Sequence, residues 1–140
     1  MSTCIFCRIA AGDAPSRTVH EDETTLAFLD ANPLAPGHTL VVPKAHHERL
    51  GDLPADLATD VFAAVHQLTP AVEAAVDADA TTVAFNNGAA AGQEVPHVHA
   101  HVVPRFPADC SRPIHALIGD RPTLSDAEMD DLAAAIRAES

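Results

Sequence analysis

The sequence predicts an α+β fold: an antiparallel five-stranded sheet with one long helix and a helix near each terminus. Two observations carry this reading. Five segments have strand character, in the order β-β-β-α-β-β, and the first two lie close enough to form a hairpin. A single long amphipathic segment separates the third strand from the fourth, which suits an antiparallel domain rather than the βα alternation of a doubly wound sheet. At 140 residues the chain suits one domain spanning 1–140, with a core of its own and a C-terminal helical extension from about residue 106.

Each element has a local reason. "CRIAAG" reads as a short opening helix stopped by Gly12. "TVHED" (18–22) and "TLAFLD" (25–30) are two short strands, and "ANPLAPGH" (31–38), with two prolines and a glycine, is a loop. "HTLVVPK" (38–44) is a strand ended by Pro43. From Pro54 to about Asp77, Leu57, Val61, Val65, Leu68, Val72 and Val76 recur every three or four residues, the period of an amphipathic helix, with Pro70 placed to bend it. "TTVAFNN" (81–87) and "VHAHVVP" (98–104) complete the strands. "SDAE" (125–128) is a capping box that opens a last helix running to about Ala138.

Composition excludes several classes of function. The formal net charge is −12, with Lys44 the only lysine, so the surface repels nucleic acid, whose binding depends on basic side chains at phosphates. An acidic, lysine-poor surface also fits adaptation to high salt, where counterions screen self-repulsion. No apolar run approaches the ~20 residues of a membrane span. "MSTCIFCRIAAGD" lacks the basic start and apolar middle of a signal peptide, so a cytoplasmic location is expected. The three cysteines, Cys4, Cys7 and Cys110, are an odd number for a disulfide framework. "CIFC" reads as metal ligands or a redox pair. A redox pair would follow a strand, and only three residues precede Cys4, so metal binding is favoured.

Chemistry concentrates in "GQEVPHVHAHVVPR" (92–105), where His97, His99 and His101 alternate with Val98, Ala100 and Val102. On a strand the three imidazoles would share one face. At roughly 3.3 Å per residue, His97 and His101 would stand ~13 Å apart along the backbone. Zinc binds imidazole nitrogen at about 2.0–2.1 Å, so three in a row reach one ion only with difficulty. At least one of the three needs another task. His20, His66 and His115 read as solvated surface histidines.

"HVHAHVV" resembles the signature of the histidine-triad superfamily, whose members act on nucleoside phosphates. "CIFCRIAAGDAPS", "LAFLDANPLAPGHTLVVPKAH", "FNNGAAAGQEVPHVHAH" and "VVPR" resemble successive blocks of its microbial nucleotide-binding (Hint-like) branch, in family order over residues 4–105. The resemblance implies a HIT-like fold, a homodimer and a nucleotidyl-transfer chemistry. Its central histidine is the nucleophile, hence His99. Neutral imidazole attacks well near pH 7, and attack on phosphorus gives a phosphoramidate that water can cleave. His101 would contact the phosphate or leaving group, and His38 would orient the nucleophile.

By the same resemblance Asn86 and Gln93 contact phosphate oxygens or the leaving group, in a loop where Gly92 lets backbone approach a ligand. Asp30 accepts hydrogen bonds from ribose hydroxyls. Ile5, Phe6, Ile9, Phe28 and Leu29 lie where the family builds its base pocket. Zinc-containing members join two N-terminal cysteines to a histidine after "VPK" and the first triad histidine, here Cys4, Cys7, His46 and His97. His47 is the near neighbour of His46, but the spacing after "PK" favours His46. Four protein ligands with no open position describe a structural site. Glu94 departs from the pattern, standing where many members carry Ser or Thr, and the chain after Arg105 does not resemble the tryptophan-bearing end of the animal proteins.

The expected activity is hydrolysis of a purine nucleoside monophosphate conjugate, such as a phosphoramidate. The alternatives are a dinucleoside polyphosphate hydrolase on the same residues, a nucleotide-binding protein with little turnover, and a zinc hydrolase. The absence of GxxxxGK[ST] argues against a P-loop mechanism.

Overall fold

The computed structural model describes residues 3–109, 112–117 and 119–140; Cys110 lies outside them. Along the chain run α1 (Ile5–Ala10), β1 (Thr18–Glu21), β2 (Thr25–Leu29), β3 (Thr39–Pro43), α2 (Ala55–Val76), β4 (Ala80–Phe85), β5 (Ala100–Arg105) and α3 (Asp126–Glu139). The strands form one antiparallel sheet in the order β1-β2-β3-β5-β4. The predicted class and all five strands are present. "HVH" is the part that differs: β5 begins at Ala100, so His97 and His99 precede the ladder rather than belonging to it.

Register decides what each face of the sheet carries. Ala27 pairs with Val41 and Val41 with Ala100, and directly opposed residues share a face. These residues and Val102 pack against Val61, Ala64, Val65, Leu68 and Val72 of α2. The stripe is close to the predicted one, with Ala64 added and Leu57 and Val76 only half-buried at its ends. The helix runs through Pro70 without interruption. On the other face Phe28 pairs with Leu40 and Leu40 with His101. Here Leu26, Phe28, Leu40 and Val42 bury Phe6 of α1, and His101, paired with Leu40, shares their face.

Helix α1 starts at Ile5, two residues before the expected "CRIAAG", while α3 opens on its expected capping box. Cys4 N-caps α1, its Sγ accepting from the Cys7 amide at 3.5 Å. Ser125 and Glu128 make the reciprocal bonds of a capping box at α3, at 3.1 and 3.2 Å. Every residue of helix α3 is exposed, including Met129, Leu132 and Ile136. Among the described residues no helix is long and apolar enough to cross a membrane.

Candidate functional site

The three alternating histidines diverge into different surroundings. His97 is fully buried, and its Nε2–H donates to the Pro43 carbonyl at 2.8 Å. A carbonyl only accepts, so the proton is on Nε2 and Nδ1 keeps its lone pair. That Nδ1 faces Cys4 Sγ at 3.4 Å and Cys7 Sγ at 3.5 Å, while His46 Nδ1 lies 3.3 Å from Cys7 Sγ. One donor atom from each of Cys4, Cys7, His46 and His97 lies within 4.8 Å of the others. A tetrahedral ion with bonds of about 2.3 Å to sulfur and 2.0–2.1 Å to nitrogen would set sulfur and nitrogen about 3.6 Å apart. The observed spacings fit such an ion. The Pro43 carbonyl supplies the outer hydrogen bond that a ligating histidine needs. His47 is placed differently, its carbonyl accepting from the Val98 amide at 2.8 Å.

His99 has the opposite tautomer. Its Nδ1 lies 2.7 Å from the His97 carbonyl and must donate to it, which leaves Nε2 as the bare nitrogen. The ring is 8% exposed and held edge-on between Phe6, at a centroid distance of 5.1 Å, and His101, at 4.9 Å. An oriented, nearly buried imidazole whose Nδ1 is tied to a carbonyl, with Nε2 turned to other partners, is the form a nucleophile requires.

His38 and His101 form a chain of defined direction. The Leu34 amide donates to His38 Nδ1 at 3.0 Å, so His38 carries its proton on Nε2. That Nε2–H donates to His101 Nδ1 at 2.9 Å, with Asp30 Oδ2 at 3.7 Å. His101 is therefore protonated on Nε2, a donor available to an anion. Burial holds His101 at a pKa of about 4, with His99 and His38 adding to the effect and Asp30 opposing it. Burial also lowers His38, against the pull of Asp30. Both are neutral at pH 7. Asp30, His38 and His101 cluster closely enough to suggest a second metal site. The tautomers argue against one, because His38 Nε2 bears a hydrogen and has no lone pair for a cation.

These groups line a cavity of about 500 Å³, within the range of small-molecule sites. Ile5, Phe6, Ile9, Phe28 and Leu29 form an apolar wall, and Asp30, Asn86 and Gly92 line the cavity with His38, His99 and His101. Gln93 is engaged within the chain. Its Oε1 accepts from the Gly88 amide at 2.7 Å, and its Nε2 donates to the carbonyls of Glu48 at 2.6 Å and Val95 at 3.0 Å. With its amide so engaged, Gln93 holds the glycine loop together and does not line the cavity. Glu94, next in sequence, does line it. Gly88, at φ 92°, lies so close to the Arg49 guanidinium that an added Cβ would sit 2.7 Å from Nη2.

Sequence reasoning missed three contributors: the Leu34 amide, the Pro43 carbonyl, and the segment 48–50 that clasps the glycine loop. Backbone groups carry no residue signature, so only the prolines and glycine of 31–38 hinted that this loop is built to one shape. Of the histidines taken as solvated, His66 and His115 are exposed, but His20 is half-buried with Nε2 3.1 Å from Asp22 Oδ2.

The fold, the cavity and the triad together define a histidine-triad protein. The HIT domain family model matches residues 11–108, and the chain belongs to this family. It is 47% identical over 106 residues to an uncharacterized HIT-like protein of Methanocaldococcus jannaschii, covering 76% of this chain and 81% of that one. It is 38% identical to an adenylylsulfatase of Arabidopsis thaliana, covering 76% of this chain and 54% of that one. It is 39% identical to an adenosine 5'-monophosphoramidase of Saccharomyces cerevisiae, covering 74% and 63%. A HIT family crystal structure from Bacillus subtilis superposes with a TM-score of 0.86 at 33% identity, covering 99% of this chain and 98% of that one. A Zn-bound histidine triad protein from Mycobacterium smegmatis gives a TM-score of 0.73 at 35% identity, covering 95% and 97%.

Proposed function

We propose that this protein is a hydrolase of nucleoside monophosphate conjugates, acting on a phosphoramidate or related linkage through a nucleotide transiently bonded to His99. The observation that carries the reading is the 2.7 Å bond from His99 Nδ1 to the His97 carbonyl, which leaves Nε2 unprotonated beside the His101 donor. The adenylylsulfatase and monophosphoramidase relatives support the substrate class.

The base lies against Phe6 and Phe28, and Asp30 accepts from the ribose hydroxyls. The His99 Nε2 lone pair attacks phosphorus as the bond to the leaving group breaks, and the departing atom takes a proton from solvent at the cavity mouth. His101 Nε2–H and the Asn86 amide steady the phosphate oxygens as charge builds on them. Water then attacks phosphorus, the bond to His99 breaks, and its electron pair returns to Nε2 while the water's proton goes to solvent. The products are a nucleoside monophosphate and the free leaving group.

Cys4, Cys7, His46 and His97 would hold zinc. With all four positions filled by protein, it would supply folding energy rather than a reactive water. The Zn-bound relative and the sulfur–nitrogen spacings support this. The chain is expected to pair as a homodimer, and sedimentation measures that directly.

The decisive experiment is intact-mass analysis after rapid acid quench with adenosine 5′-phosphoramidate. Wild type should show one added adenylate that maps to His99, and His99→Ala should show none. Turnover with no adduct at any quench time, or an adduct elsewhere, overturns the mechanism.

A further inference from the structure

Glu94 is a carboxylate on the wall of a cavity built to receive a phosphate. Among the described residues the charged side chains lining that cavity are few: Arg17, Asp30 and Glu94, with His38 and His101 held neutral by burial. Asp30 is half-buried, and its Oδ1 accepts from the Asn32 amide. The Arg17 carbonyl accepts from the Leu29 amide, which puts this residue on the Asp30 side, where the nucleoside would lie. Glu94 belongs instead to the loop that presents Asn86 and Gly92, and its side chain is exposed. Its backbone is held in place, because the Gln93 side chain spans from Gly88 to the Val95 carbonyl.

Displacement at phosphorus runs in line, so the leaving group departs on the side away from the attacking nitrogen. His99 is nearly buried, and the leaving group therefore moves outward, to the rim where the exposed Glu94 stands. A sulfate or polyphosphate leaving group would bring one or more further negative charges toward this carboxylate. An amine brings none, and an amine with a second, cationic amino group would pair with it.

We propose that Glu94 is a specificity-determining residue that selects amine leaving groups, above all cationic ones, and disfavours anionic ones. The proposal rests on the hydrolase reading above. A unit charge within ion-pairing reach, in surroundings between a protein surface and water, changes a rate constant by roughly tenfold or more.

The test uses full-length wild type and Glu94→Gln, with Glu94→Ala as a second variant. Three adenosine 5′-phosphate conjugates are compared by kcat/KM: an aminopropyl phosphoramidate (cationic), a propyl phosphoramidate (neutral) and adenylyl sulfate (anionic). In both variants the cationic-to-neutral ratio should fall roughly tenfold and the anionic-to-neutral ratio should rise roughly tenfold, with both changes shrinking at 1 M salt. Ratios that match wild type overturn the proposal. If wild type cleaves none of the three, the hydrolase reading fails instead. The same ratios are then taken from calorimetric affinities of the intact conjugates, where a shift on losing Glu94 upholds the proposal and no shift overturns it.

Discussion

His38 Nε2 lies 2.9 Å from His101 Nδ1, and this bond determines which nitrogen of His101 carries the proton. The direction of the bond is set one step back, by the Leu34 amide on His38 Nδ1. A loop backbone group thus determines the donor that His101 offers to the cavity.

His38→Gln should therefore lower kcat by about ten- to a hundredfold, toward the low end of what losing an oriented donor costs. KM should change less, because His38, though it lines the cavity, is only 1% exposed. Steady-state kinetics on a phosphoramidate checks this. A rise in KM with unchanged kcat would mean that His38 contacts the ligand instead.

The centre of "HVHAH" should separate from the metal ligands in mutation. His99→Ala should abolish turnover and keep one zinc per chain, because His99 lies outside the Cys4, Cys7, His46 and His97 group. Cys4→Ser should lose zinc and stability, by several kcal/mol if the site supplies folding energy, yet keep measurable activity where the chain stays folded. Elemental analysis and turnover read both effects. Loss of zinc in His99→Ala would make the triad one metal centre.

Acid should destabilise the fold through His101. Its folded pKa of about 4, depressed first by burial, lies below the ordinary histidine value of ~6.5. The unfolded chain then binds the proton more readily. This contribution is fully present above pH ~6.5 and is lost as pH falls toward 4, at up to roughly 1.4 kcal/mol per pH unit, less for residual solvent screening. Thermal midpoints from pH 8 to 4.5 should fall more steeply for wild type than for His101→Gln. Parallel curves would show that His101 contributes nothing to the acid limb.

Salt should stabilise the protein. A net charge of −12 with eight lysines and arginines leaves the surface self-repelling, and the Debye length falls from ~10 Å at 0.1 M to ~3 Å at 1 M. The thermal midpoint should rise by roughly 4 °C or more, about what 1 kcal/mol produces at this size. An unchanged midpoint would count against adaptation to high salt.

Local patterns along the chain determined the strands, the amphipathic face of α2 and the capping box of α3. Period-2 and 3.6-residue alternation record which face is buried, and Ser125 and Glu128 need only each other. The blocks of resemblance also named Cys4, Cys7, His46 and His97 together, though they lie up to 93 residues apart. What sequence could not supply was the direction of each proton. Whether an imidazole is a ligand, a nucleophile or a donor depends on which carbonyl or amide meets its other nitrogen. The Pro43 carbonyl settles His97, the His97 carbonyl settles His99, and the Leu34 amide settles His38 and, through it, His101. Those partners are backbone groups present at every position of the chain. Only the folding of β3 beside β5, with the loop 31–38 closed over His38, brings the right ones within hydrogen-bonding distance.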